Sequence, residues 1–134
     1  MKILVQESLA DNFSPDRLIL LSHFVKYCVR ALDLHAELLV FVVDNRHRYG
    51  IETTAAYIPN DCTIYVYGKG RSFVDILKSI SHEMVHAKQH ELGYELPGHY
   101  LHFHSDVEDE ANAEGMSLLY AYTEVMGRDI IYDN

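Results

Sequence analysis

The chain has 134 residues, of which 49% are hydrophobic and 23% charged, and its formal net charge is -9. This length is typical of one domain with its own core, so we interpret residues 1–134 as a single domain. A net negative charge without any cluster of Lys or Arg argues against a nucleic-acid partner and against an anionic membrane surface.

Neither the N-terminus nor the apolar segments predict export or membrane insertion. The first seven residues contain no long apolar run, unlike a signal peptide. The longest apolar stretch, Leu38 to Val43, is far shorter than the roughly 20 residues that cross a bilayer. Cys28 and Cys62 do not form a metal-binding C-x-x-C pair, and we expect reduced thiols. The sequence therefore predicts a cytoplasmic protein and leaves its oligomeric state open.

The N-terminal part of the chain predicts a strand, a helix and a second strand. Residues 2–6 alternate weakly, as a short strand would. The segment SPD at 14–16 combines a Ser cap, a Pro at the first helical position and an acid, so a helix is expected from there to about Asp33. The run at 38–43 is apolar on both faces, which indicates a buried central strand.

A hairpin and two long helices follow. Strands are predicted at Thr53–Ile58 and Thr63–Tyr67, on either side of the turn PND. Ser72, with Asp75 three residues later, opens a helix that extends to the Gly93 cap. Residues 93–104 are a predicted loop rich in His and Tyr. A last helix is predicted from Ser105 to Met126, closed by Gly127.

The first of these long helices contains the motif H-E-x-x-H, formed by His82, Glu83 and His86. Residues four apart lie on the same face of a helix, so the two imidazoles can reach one tetrahedral metal ion. Glu83 lies about 100° around the helix from His82, close enough to take a proton from a water molecule that the metal activates. The motif predicts a bound zinc ion with Glu83 as general base.

A catalytic zinc ion has three protein ligands and one open position, so a third ligand must come from elsewhere. Glu108 is favoured, because its offset from His86 leaves room for a helix end, a loop and the start of a returning helix. Asn112 lies one helical turn later and could orient a ligating histidine through a hydrogen bond. Ala111 and Gly115 are small, which allows the two helices to approach closely. The remaining candidates are Asp106, Glu110, His99, His102 and His104, with Glu110 expected to point toward solvent.

The pattern resembles that of gluzincin-type zinc metallopeptidases. H-E-x-x-H at 82–86 followed by EDEAN at 108–112 is similar to the small ImmA/IrrE-type metallopeptidases, which pair H-E-x-x-H with a later E-x-E-A-N. The resemblance covers residues 72 to 122. It implies His82, His86 and Glu108 as zinc ligands, and a zincin-like α+β fold. In that fold a small, mostly antiparallel sheet packs against the H-E-x-x-H helix, with an N-terminal helix and a C-terminal glutamate helix.

The ligand set remains open at this point. SprT-type proteins instead use a third histidine as a zinc ligand, and His102 or His104 could be that ligand here. Tyr100, His99, His102 and His104 are also candidates for stabilising an oxyanion, since the loop that carries them is expected near the open side of the metal.

The predicted function is zinc-dependent hydrolysis of peptide bonds in a peptide or protein substrate. A strand such as Thr53–Ile58 could bind an extended substrate by pairing along its edge. The alternative is a non-catalytic zinc-binding module, regulatory or peptide-binding, that keeps the ligands but hydrolyses nothing. A purely structural domain without metal is a third reading. The sequence does not identify the substrate.

Overall fold

Four strands form one sheet in the part of the chain that this computed structural model describes, residues 2–94 and 105–132. The sheet has the order β1-β2-β4-β3. β1 and β4 both run parallel to β2, whereas β3 runs antiparallel to β4. The strands are β1 (Lys2–Val5), β2 (Leu39–Val43), β3 (Ala55–Ile58) and β4 (Thr63–Tyr67).

The expectation of a mostly antiparallel sheet is wrong, because β2 has a parallel neighbour on each side. The chain leaves β1, passes through helix α1 (Pro15–Leu32) and enters β2 in the same direction, as a helical crossover requires. The predicted hairpin of β3 and β4 is confirmed. Its second strand lies between β2 and β3, which leaves β3 at an edge of a mixed sheet. The α+β class is confirmed.

The other helices are α2 (Phe73–Glu91), α3 (Ser105–Met126) and α4 (Arg128–Tyr132). The predicted N-terminal caps are confirmed: Ser14 Oγ accepts from the Arg17 N–H and Ser72 Oγ accepts from the Asp75 N–H. Gly127 has a φ of 93° and ends α3 as predicted. The short helix α4 beyond it was not predicted.

The core lies between one face of the sheet and α2. Alternating strand residues are buried there, while Phe41 and Tyr65, on the other face, are partly exposed. Helix α2 contributes Leu77, Ile80 and Met84, all fully buried. Cys28 and Cys62 are free thiols. Within the described ranges, no helix combines the length and apolar character that crossing a membrane requires. The core strand residues are Val40, Val42, Ile64 and Val66.

Helices α2 and α3 are in close contact at His82. A Cβ atom added to Gly115 would lie 3.1 Å from both the backbone nitrogen and the Cα of His82. Ala111, one turn earlier on α3, is fully buried. The prediction that these two small residues allow close approach of the helices is therefore confirmed.

This contact makes Gly115 sensitive to any larger side chain. Gly115→Val is expected to lower the free energy of unfolding by about 1–3 kcal/mol, because backbone atoms of α2 cannot move aside as a flexible side chain can. Ala113→Val is the matched control, since position 113 is exposed on the same helix. Chemical denaturation of the metal-free proteins measures both. Equal stability of the two variants would contradict the close packing of Gly115 against the backbone of His82.

Candidate metal centre

Three side chains from α2 and α3 converge on one point. His82 and His86 come from the middle of α2, and Glu108 comes from the first turn of α3. The two Nε2 atoms are 3.1 Å apart. Glu108 places Oε1 2.9 Å from His86 Nε2 and Oε2 3.2 Å from His82 Nε2. The three predicted ligands therefore meet in one cluster, with one ligand atom of each within 4.8 Å of the others.

Hydrogen bonding determines which nitrogen of His86 faces this point. Gln89 Nε2 donates to Val107 O at 3.0 Å and to Glu110 Oε1 at 2.9 Å, both of which can only accept. The amide is thereby oriented so that its Oε1 accepts from His86 Nδ1 at 2.7 Å. A neutral His86 then presents the lone pair of Nε2 to the cluster.

The spacing of the cluster fits a metal ion. Ligand atoms about 2.0–2.1 Å from a tetrahedral zinc ion are about 3.3 Å from one another. The observed separations of 2.9 to 3.2 Å are close to that value. Two imidazoles and one carboxylate are also a ligand set that zinc and neighbouring divalent transition metals accept. The residues present can therefore hold such an ion.

The centre opens into a cleft with a volume of about 370 Å³, between α2 and the edge of β3 that faces away from β4. His82, Glu108 and Asn112 line it, whereas His86 is buried beneath them. Burial and the neighbouring His86 lower the pKa of His82, which favours the neutral ring that binds metal. The charge of Glu108 and hydrogen bonds with Asn112 and Glu108 act in the opposite direction. Asn112 thus hydrogen-bonds to His82, one of the two clustered histidines.

Glu83 lies beside the cluster. Its Oε1 is 3.9 Å from His82 Nε2, and the side chain is buried but borders the cleft. Burial, followed by the charge of Glu108, raises the pKa of Glu83 to about 8, and a hydrogen bond from the Tyr57 backbone N–H partly opposes this. The Tyr57 hydroxyl also pairs with His90 Nδ1 at 2.8 Å, which holds β3 against α2.

The remaining residues that the sequence predicted for the site differ in their positions. Glu110 is exposed, as expected, but its carboxylate also accepts from Gln89, which the sequence did not predict. Asp106 is exposed and is not part of the cluster. His99, Tyr100, His102 and His104 lie outside the described residues.

Gln89 is a residue beside the cluster that sequence reasoning missed. Its position three residues after His86 places it on the same face of α2, where its polar side chain is almost completely buried. A buried glutamine requires partners, and here they are His86 and the start of α3. The only signal in the sequence was this spacing.

Replacing Gln89 by methionine, which has a similar volume, is expected to weaken metal binding by about 10- to 100-fold. The change removes the acceptor that orients His86 and the donor that links α2 to the Val107 carbonyl. Competition with a chromophoric chelator measures the affinity. Gln89→Glu is a useful second variant, because it restores the acceptor to His86 but not the donor. Unchanged affinity in Gln89→Met would show that His86 is oriented without it.

These contacts define a class of site: two histidines one turn apart on a helix, completed by a carboxylate from the next helix, with an acid beside them. No protein-family model, no curated protein and no solved structure matches this chain. A functional conclusion therefore depends on the chemistry of the site itself.

Proposed function

We propose that the protein is a zinc-dependent peptidase, with His82, His86 and Glu108 as ligands and Glu83 as general base. The observation that supports it is the convergence of two imidazole nitrogens and a carboxylate within 3.2 Å at the floor of an open cleft. Three electron-pair donors directed at one point are stable together when a cation lies between them.

Zinc, when bound, would polarise the scissile carbonyl and make a water molecule more acidic. Glu83 lies next to the ligands without belonging to them, which is the position that a general base requires. A nearby cation favours the carboxylate over the acid, and so offsets the burial that raises the pKa of Glu83 in the metal-free protein. Glu83 would accept a proton from the water molecule and deliver it to the leaving amine.

The edge of β3 supports a peptide substrate. The Tyr67 N–H donates to Thr54 O at 2.8 Å, so Thr54 faces β4. Tyr57, three residues later, faces the other way and donates its N–H to Glu83. Because backbone groups alternate in direction along a strand, Ala55 presents its N–H and C=O to the cleft. An extended peptide could pair there and pass beside Glu83.

The test is hydrolysis of unstructured substrates by the full chain. The protein is stripped of metal with a chelator, reloaded with one equivalent of zinc, and incubated with casein and with a mixture of internally quenched peptides. We expect cleavage by the zinc-loaded protein, none after stripping, and recovery on adding zinc back. One tightly bound zinc ion without hydrolysis of any substrate would contradict the proposal and favour a non-catalytic binding module.

A further inference from the structure

A second group of polar side chains lies in the same cleft, toward the start of α2. Arg71 precedes the cap residue Ser72, and its guanidinium is half-buried. It donates to the backbone carbonyls of Tyr67 and Asp75 at 2.9 Å each and to Ser79 Oγ at 2.8 Å. These three contacts fix the position of the guanidinium beside Ser79.

The acceptors that hold Arg71 are all neutral. Within the described ranges, no carboxylate forms an ion pair with Arg71. Asp75 contacts it through its backbone carbonyl, and the charge of its carboxylate acts from further away. A guanidinium has five N–H donors, so the three hydrogen bonds leave capacity for an anion. A half-buried cation without a carboxylate partner is a favourable place for an incoming carboxylate.

Lys78 adds a second cation. It is exposed, lines the cleft on the same side of α2, and has no ion-pair partner among the described residues. The acids at this end of the cleft are Glu52 and Asp75. Two cations therefore balance two acids there, and the fixed guanidinium provides the directed contact.

The distance between this group and the metal centre matches a short peptide. Ser79, which binds the guanidinium, precedes His82 by three residues, about 4.5 Å along the helix axis. On the facing side, Thr54, just before β3, contacts Ser79, and Tyr57 in β3 contacts Glu83. An extended peptide advances about 3.3 Å per residue, so the two positions differ by roughly one to three residues.

We propose that Arg71 and Lys78 form a subsite for a substrate carboxylate, one to three residues from the scissile bond. The carboxylate belongs either to an Asp or Glu side chain or to the C-terminus of the peptide. This inference rests on the proposed peptidase function and gives it a substrate class. Arg71 and Lys78 act in binding and not in proton transfer.

The experiment compares internally quenched peptide libraries in which one position is fixed as Glu, Gln or Lys, each with a free or an amidated C-terminus. For the zinc-loaded protein we expect kcat/KM to be at least about tenfold higher for the preferred carboxylate than for its neutral counterpart, mainly through KM. Preference for Glu over Gln in amidated peptides identifies a side chain. Loss of the preference on amidation identifies the C-terminus.

Three variants link any preference to the subsite. Arg71→Gln and Lys78→Gln should each reduce it, and Lys78→Glu should shift selection toward peptides with Lys. Lys26→Gln, an exposed helical lysine outside the cleft, is the matched control and should behave as the wild type. Arg71 also connects β4 to α2, so the Arg71→Gln variant is first checked for an unchanged unfolding transition. The Lys78 variants test the subsite without altering this connection.

Equal cleavage of the acidic and neutral peptides, unaffected by these variants, would overturn the subsite while leaving the peptidase proposal intact. A protein that cleaves no peptide would instead overturn the peptidase proposal. Fluorescence anisotropy with the zinc-loaded Glu83→Gln variant then tests the subsite alone. Binding of a labelled Glu peptide about tenfold tighter than its Gln counterpart supports it, and equal binding overturns it.

Discussion

Replacing Glu83 by glutamine is expected to leave zinc binding intact and to reduce kcat by about 10²- to 10⁴-fold, the range over which a positioned general base acts. Glutamine has the size of glutamate and can fill the same buried position, but it cannot accept a proton. Its carbonyl oxygen can still accept from the Tyr57 N–H, so the edge of β3 should keep its place beside α2. Zinc stoichiometry and steady-state peptide cleavage measure the two effects.

The matched control is Glu114→Gln, which makes the same chemical change at an exposed position of α3 outside the cleft. It should retain both metal and turnover. A Glu83→Gln protein as active as the wild type would exclude Glu83 as the base. Loss of zinc from that variant would instead mean that Glu83 belongs to the ligand set, although it lies 3.9 Å from His82 Nε2.

Replacing Glu108 by alanine is expected to weaken zinc binding by more than about 100-fold, beyond the effect of losing an outer hydrogen-bond partner. Glu108 is the proposed ligand from α3, and its two oxygens contact one histidine each. Without it the two imidazoles would have to bind the ion alone. Competition against a chelator of known affinity measures the loss, and turnover should fall with the zinc content.

Asp109→Ala is the control for this prediction, because position 109 is the next residue on the same turn of α3 and is exposed. Its zinc affinity should remain close to that of the wild type. Undiminished zinc in Glu108→Ala would reject Glu108 as the third ligand. His102→Ala and His104→Ala would then show whether a histidine takes that part.

Local sequence signals predicted the three long helices and the hairpin well. The caps at Ser14 and Ser72 and the glycine at 127 act within a few residues, so the chain around them is sufficient to indicate where helices begin and end. The order and direction of the strands depend on contacts between distant segments. The apolar run of β2 indicated a central strand, but it does not identify β1 and β4 as the parallel neighbours, and the sheet was therefore predicted wrongly.

The distinction between local signals and contacts of distant segments also holds at the candidate site. His82, Glu83 and His86 are related by spacing within one helix, and the structure brings both histidines to the cluster as that spacing indicates. Glu108 could be proposed because its offset from His86 leaves room for a helix end, a loop and the start of a returning helix. Gln89 could not, because its contacts with His86 and Val107 exist only once α2 and α3 pack together. Arg71 was missed for a similar reason, since Tyr67 and Ser79 position it only in the folded chain.

The division of the proposed ligands between α2 and α3 has a thermodynamic consequence. An ion held by His82, His86 and Glu108 would cross-link two helices that otherwise meet through small side chains and the hydrogen bonds of Gln89. By linkage, the free energy of binding adds to the free energy of keeping the helices docked. Mutations that loosen the interface between α2 and α3 far from the metal centre should then lower the affinity for the ion. Scarcity of the ion should in turn make the C-terminal helices easier to detach.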